Sequence, residues 1–105
     1  MIHFKPEVRF SIPFAMMHAS RVVESVFAEY GNDDTWITSG NDGEHKNGSL
    51  HYIDRALDFR IKDLPREARA QAVARITELL SPTYDVLWES VDTDNEHLHI
   101  EYDPK

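Results

Sequence analysis

Two short segments of the chain alternate between apolar and polar residues, and they constrain the fold more than any other feature. In residues 56–62 the apolar set is Leu57, Phe59 and Ile61. In residues 97–102 the apolar set is Leu98, Ile100 and Tyr102, and the polar set is His97, His99 and Glu101. Because alternate residues of a strand point to opposite faces of a sheet, both segments are predicted to be half-buried strands with polar outer faces.

Helical spacing of apolar residues predicts a helix over residues 13–30 and a second helix that starts at Asp63-Leu64-Pro65 and ends at Ser81-Pro82. The remaining predicted elements are strands over residues 35–38 and 83–89 and a loop over residues 39–48. Strand 83–89 should form a hairpin with strand 97–102. This order predicts an α+β fold, in which a small, mainly antiparallel sheet has two helices against one face and a metal cleft on the other.

Length and composition limit the function classes. A chain of 105 residues is predicted to be one domain, residues 1–105, and we expect a monomer. The net charge of −8 argues against binding to nucleic acid or to an anionic membrane. The absence of cysteine excludes disulfides and thiolate metal sites. Neither a signal peptide nor an apolar segment of about 20 residues is recognisable, so we expect a protein that is cytoplasmic at synthesis.

The polar residues of the alternating segments suggest a metal site. Asp58 follows His51 by seven positions, and we hypothesise that His51, Asp58 and His99 converge on one zinc ion. Three ligands of mixed nitrogen and oxygen type suit zinc and leave a position for water, whose pKa zinc lowers to about 7. Glu96 is the candidate general base that would take the proton of this water and pass it to a leaving amine.

Other interpretations of these residues remain open at this stage. Asp58 could instead form an ion pair with Arg60 or Arg55. His45, in the glycine-rich loop, could contact substrate at the rim of the site, replace His51 as a ligand, or be a solvated loop residue.

Two polar neighbours of His99 also have alternative roles. His97 lies on the same side of the predicted strand and could support the metal ligands or compete with Glu96 as a base. Glu101 could face solvent or orient a ligand imidazole.

The combined pattern resembles a known family. The pattern consists of Ser49-x-His51-x-x-x-x-Ala56-x-Asp58 and Glu96-x-x-His99. It is similar to that of the M15-type zinc peptidases, which include D-Ala-D-Ala carboxypeptidases and phage endolysin endopeptidases. The segment Thr38-Ser39-Gly40-Asn41-Asp42 resembles a further element of the family, so that the resemblance covers about residues 35–102.

The resemblance implies a fold, a reaction and a set of roles. The fold would be that of the Hedgehog and DD-peptidase domains, and the reaction would be hydrolysis of an amide bond in peptidoglycan peptides, by a carboxypeptidase or an endopeptidase. Carried over by position, the zinc ligands are His51, Asp58 and His99, the general base is Glu96, and Ser49 lines the substrate site. A protein of this kind without a signal peptide would reach the cell wall through phage lysis or as part of a virion.

Two departures from the family pattern bear on activity. Asp54 stands where the family has glycine, and Asp42 stands where it has an arginine that holds substrate or polarises the scissile carbonyl. His45, Lys46 or Arg55 would have to supply the missing positive charge. The alternative is a non-catalytic module of the same fold, in which zinc serves partner recognition or structure. An iron oxygenase with two histidines and one carboxylate, and a globular protein without metal, are further hypotheses.

Overall fold

The computed structural model of the chain describes residues 1–6, 14–39 and 55–103. These residues form two helices and one mixed sheet of five strands in the order β1-β2-β3-β5-β4. The elements in chain order are β1 (Ile2–Phe4), α1 (Phe14–Glu29), β2 (Thr35–Ser39), β3 (Ala56–Arg60), α2 (Arg66–Leu80), β4 (Tyr84–Glu89) and β5 (His97–Tyr102). The predicted α+β class is therefore confirmed, whereas the narrower assignment to the Hedgehog and DD-peptidase fold stays a prediction.

The sheet is mainly antiparallel. Strand β3 is central and pairs with β2 on one side and β5 on the other, and β4 and β5 form the predicted hairpin. The exception is β1, which pairs in parallel with β2. Only three residues form β1, too few for an alternating pattern to be recognised in the sequence.

Both helices pack on one face of the sheet, as their apolar periodicity predicts. The apolar sides of the strands contribute Ile37, Phe59, Leu98 and Ile100 to the core, and all four are fully buried. The helices cover this face with side chains that include Met16, Val23, Phe27, Ala72 and Ile76. Burying a side chain of this size contributes roughly 1.5–3 kcal/mol, so this single apolar layer dominates the stability of the fold.

The ends of the helices follow from local sequence. Gly31, with φ of 91°, adopts the left-handed conformation that commonly follows a helix, and the backbone N–H of Asn32 returns to the carbonyl of Phe27. Pro65 precedes α2, where its missing N–H costs no helical hydrogen bond. Neither helix of the described segments has the length and apolar character needed to span a lipid bilayer.

The alternation that builds the core also assigns the other face of the sheet. Side chains of β3 and β5 that do not join the core lie on the face without helices, and they include Asp58, Arg60, His97, His99 and Glu101. The sheet therefore separates an apolar layer from a face that carries carboxylates, imidazoles and a guanidinium group.

Candidate functional site

Asp58 and His99 are direct neighbours on the face of the sheet without helices. They lie opposite each other in the antiparallel register of β3 and β5, although they are 41 positions apart in the sequence. Asp58 Oδ1 and His99 Nδ1 are 2.7 Å apart, which is a hydrogen-bonding distance. Two of the three predicted zinc ligands are thus brought together by strand pairing.

The second nitrogen of His99 also faces a carboxylate. His99 Nε2 lies 2.7 Å from Glu101 Oε1, and the residue is only 8% exposed. Burial disfavours the charged imidazole, but the hydrogen bonds it donates to Asp58 and Glu101 outweigh this effect and raise the pKa of His99 to about 9. We call His99, Asp58 and Glu101 the His99 cluster. Of the two interpretations of Glu101, the one in which its carboxylate orients the imidazole is observed.

His97 borders the His99 cluster without joining it. Its Nε2 is 3.0 Å from Glu89 Oε1 and 4.0 Å from Asp58 Oδ1. Its Nδ1 donates to the backbone carbonyl of Asn95 at 2.7 Å. The imidazole is therefore held between the start of β5 and the end of β4. Asp58 lies just beyond hydrogen-bonding distance of it.

The arginines that could have paired with Asp58 have other neighbours. The guanidinium group of Arg60 lies over the ring of Trp36, 5.2 Å from its centroid, and 4.0 Å from Asp63. That of Arg55 lies 5.8 Å from the ring centroid of Tyr102. Among the described side chains, His99 is a partner of Asp58 at hydrogen-bonding distance.

Glu96, the predicted general base, is engaged elsewhere. Its side chain is 1% exposed, Oε1 lies 2.9 Å from Arg69 Nη1, and Oε2 accepts a hydrogen bond of 2.8 Å from Trp88 Nε1. The backbone N–H of Asp92 also approaches Oε1, at 3.4 Å. We call Glu96, Arg69 and Trp88 the Glu96 cluster. It ties the turn between β4 and β5 to α2, and to act as a base Glu96 would have to leave these partners.

Several predicted site residues lie outside the described residues. These are the zinc ligand His51 and the substrate-site residues Ser49 and His45. Asp42 and Asp54, the two departures from the family pattern, lie in the same segment, residues 40–54. Their places in the site stay predictions.

The His, Asp and Glu side chains of the described residues can be compared with the ligands that zinc requires. Within residues 1–6, 14–39 and 55–103, no group of three or more His, Asp or Glu side chains is arranged to hold a metal ion. Asp58 and His99 supply one oxygen and one nitrogen, which are ligand types that zinc accepts. Glu101 on the far side of the imidazole matches the carboxylate that usually accepts the remaining N–H of a zinc-bound histidine. These residues fit two ligands and their support, and His51 is the predicted third.

A cavity of about 350 Å³ opens beside Asp58. Its wall includes Thr38 and Ser39 at the end of β2, His97 on β5, and three cationic side chains, Lys5, Arg60 and Lys62.

Sequence reasoning missed these cations because they come from separate strand ends. It also missed Arg69 and Trp88 as partners of Glu96. The signal that could have found the latter is the alternation itself, because Glu96 is two positions before the core residue Leu98 and shares its side.

Comparisons with known proteins add no relative of this chain. No protein-family model matches its sequence, and a search of curated proteins finds no significant match.

Proposed function

We propose that this chain is a zinc-dependent peptidase that hydrolyses an amide bond in peptidoglycan peptides. The observation that carries the proposal is the pairing of Asp58 with His99 at 2.7 Å, since these residues come from distant parts of the sequence pattern. His51, Asp58 and His99 would hold the zinc ion, Ser49 and His45 would line the substrate site, and the fold would be of the Hedgehog and DD-peptidase type. When bound, zinc lowers the pKa of a coordinated water and polarises the scissile carbonyl.

The charges of the His99 cluster support a cation at this place. Two carboxylates, from Asp58 and Glu101, flank one imidazole. With His99 neutral, a divalent cation would balance both carboxylates, and Glu101 would keep the ring oriented by accepting its N–H. Zinc and the proton on Nδ1 would compete for the same nitrogen, so binding releases a proton.

The role of Glu96 in proton transfer can be tested separately from zinc binding. Glu96 is the predicted base, and its side chain is held by Arg69 and Trp88. A Glu96→Gln variant keeps an oxygen that can accept from Trp88 but cannot take up a proton. If this variant folds, binds zinc and cleaves as fast as the parent, Glu96 is not the base.

The engagement of Glu96 specifically favours a second candidate, a non-catalytic zinc module of the same fold. A buried carboxylate that is satisfied by a guanidinium and an indole is poorly placed to accept a proton from water. Asp42 in the position of the family arginine points the same way. In this case zinc would stabilise the segment that carries His51 or present a surface to a partner protein.

One set of measurements separates the candidates. The zinc content of the purified protein is compared with that of His51→Ala, Asp58→Ala and His99→Ala, and His18→Ala is the control because His18 is an exposed residue of α1. Cleavage of peptidoglycan fragments is then followed with and without a chelator. Zinc lost in the three variants together with chelator-sensitive cleavage supports the peptidase. Zinc without cleavage of any fragment selects the module, and a parent protein without stoichiometric zinc rejects both.

A further inference from the structure

The two edge strands of the sheet, β1 and β4, differ in how well they are protected from further pairing. Strand β1 is three residues long and is followed within two positions by Pro6, and short strands and prolines are two common means of closing an edge. Strand β4 runs for six residues, contains neither proline nor glycine, and pairs with β5 without a register shift. It is therefore a regular edge that another strand could extend.

The backbone groups on the outer side of β4 follow from its pairing with β5. The N–H of Asp103 donates to the carbonyl of Thr83 at 2.9 Å, so the odd-numbered residues of β4 direct their backbone groups toward β5. Tyr84, Val86 and Trp88 direct theirs outward, and within residues 1–6, 14–39 and 55–103 no strand pairs with them. These three residues offer donors and acceptors at the spacing of an antiparallel ladder.

The side chains beside this edge determine what kind of strand it fits. On the face without helices, β4 carries Asp85, Leu87 and Glu89 in alternation. Leu87 is 44% exposed, and the side chain of Glu89 is 46% exposed although it faces His97. Asp85 also has a contact within the chain, and Glu101 lies opposite it on β5. The edge thus presents an exposed leucine between two carboxylates.

A second copy of the chain fits this edge poorly. Two antiparallel β4 strands paired about Leu87 would place Asp85 opposite Glu89 twice, and like charges opposite each other destabilise a strand pair. Pairing about Val86 would instead place each Asp85 against the leucine of the other copy. The net charge of −8 on each copy adds to the repulsion. A strand with two basic residues at these places would form opposite-charge pairs instead.

We propose that the outer edge of β4 binds an extended segment of a partner protein, in which two basic residues four positions apart flank a central apolar residue. The segment would add a sixth strand, antiparallel to β4, through the outward backbone groups of this strand. Its apolar residue would lie opposite Leu87, and its basic residues opposite Asp85 and Glu89. Backbone hydrogen bonds would supply affinity, and the charges would fix the register.

Amide hydrogen exchange of the isotope-labelled protein, measured by NMR, tests the proposal. The probe is the peptide acetyl-Thr-Lys-Val-Leu-Val-Lys-Thr-amide at millimolar concentration. In the free protein the N–H of Leu87 points toward β5 and should exchange slowly, whereas those of Val86 and Trp88 should exchange fast. We expect the peptide to slow exchange at Val86 and Trp88 several-fold and to leave Leu87 unchanged. Neither zinc nor cleavage enters the measurement, so its outcome is independent of the proposed function.

Modified peptides separate strand pairing from attraction between charges. N-methylation of both valines removes the N–H groups that would bond β4, and it should abolish binding. N-methylation of the leucine, whose N–H would point away from β4, should leave binding intact. Replacing both lysines with glutamate turns two opposite-charge pairs into two like-charge pairs and should weaken binding about tenfold.

A matched pair of variants places the binding on β4. Leu87→Lys puts a cation at the centre of the edge and should abolish the slowed exchange at Val86 and Trp88. Met17→Lys should keep it, because Met17 is similarly exposed, at 49%, but lies on α1 beside the opposite edge of the sheet.

Several results would overturn the proposal. These are unchanged exchange at Val86 and Trp88, equal binding of the lysine and glutamate peptides, binding that survives N-methylation of the valines, and equal loss in the two variants. Slow exchange at Val86 and Trp88 in the protein alone would also do so, because the edge would then already be paired. Sedimentation would show whether a second copy is what pairs with it.

Discussion

The Glu96 cluster and the His99 cluster both lie near strand β5 and differ in the charges of their members. In the Glu96 cluster one carboxylate meets one guanidinium, and both of its oxygens have donors. The three members of the His99 cluster are two carboxylates and one imidazole, so that among these described residues negative charge exceeds positive charge even when His99 is protonated. A balanced cluster is complete without a ligand, whereas a cluster with excess negative charge can accept a metal cation. The comparison favours structural support as the role of Glu96, and ligand binding by the His99 cluster stays a prediction.

The largest expected effect is on stability, from the balanced cluster. Glu96→Ala leaves Arg69, whose side chain is 14% exposed, without its carboxylate, and Trp88 without its acceptor. Breaking a buried pair by removing one partner costs about 3–5 kcal/mol, so we expect the free energy of unfolding in urea to fall by that amount. The double variant Glu96→Leu/Arg69→Leu should recover part of the loss, because it leaves no charge buried and unpaired, although it also removes the hydrogen bonds from Arg69 to the carbonyls of Leu64 and Lys62.

A loss below about 1 kcal/mol in Glu96→Ala would contradict this assignment. It would mean that Arg69 finds another partner and that Glu96 is free to leave, as a general base has to.

The pH dependence of stability probes the His99 cluster. The folded pKa of His99, about 9, is above the value of 6.5 for the unfolded chain, so its contribution is complete below pH 6.5 and is lost as the pH rises to about 9. The difference corresponds to about 3 kcal/mol. We expect urea unfolding of the metal-free protein to show this loss between these pH values, and His99→Asn to lack it.

Zinc should reverse that dependence. Because the metal ion competes with the proton on His99, saturating zinc should stabilise the protein more at pH 8 than at pH 6. Identical pH profiles of the metal-free protein and its His99→Asn variant would show that the imidazole is not stabilised in its charged form, which removes the charge argument for this cluster.

The elements of the fold were largely predictable because burial on one face leaves a period in the sequence. The alternation of residues 56–62 and 97–102 gave both strands and the side on which Asp58 and His99 lie. Strand β1 was missed because three residues carry too little pattern, and its place depends on pairing with β2.

The candidate site was predictable only in part. The polar residues of β3 and β5 do not by themselves determine how the two strands align. In a different register, a residue other than His99 would lie opposite Asp58. The family pattern supplied the pair, whereas the partners of Glu96 depend on contacts across the fold. Arg69 is 27 positions away from Glu96, on α2, so no local pattern indicated the ion pair.

A smaller effect is expected on zinc affinity when one carboxylate is removed. Asp58→Asn keeps the size of the side chain but replaces one carboxylate oxygen by an amide nitrogen that cannot bind zinc. Mutations around metal ligands usually cost 10–100-fold in affinity, so a direct ligand should cost at least about 100-fold, or about 2.7 kcal/mol. Competition with a chromophoric chelator measures the change.

The control for Asp58→Asn is Asp34→Asn. Asp34 also lies 2.7 Å from an imidazole nitrogen, that of His3, but this pair is exposed. If both variants lower the zinc affinity equally, zinc binds wherever an aspartate meets a histidine, and the His99 cluster is not a specific site.

The smallest effect is expected from an exposed ion pair at the same turn that the Glu96 cluster joins to α2. Arg66 and Asp92 join α2 to the turn between β4 and β5, as Arg69 and Glu96 do, but their side chains are 71% and 50% exposed. Each partner holds the other in its charged form, so that the hydrogen bond to Arg66 lowers the pKa of Asp92. Water solvates both groups when the pair is broken, and Arg66→Ala should therefore change the urea midpoint far less than Glu96→Ala. A comparable change would mean that the tie between helix and turn, rather than the burial of charge, sets the stability of this end of the sheet.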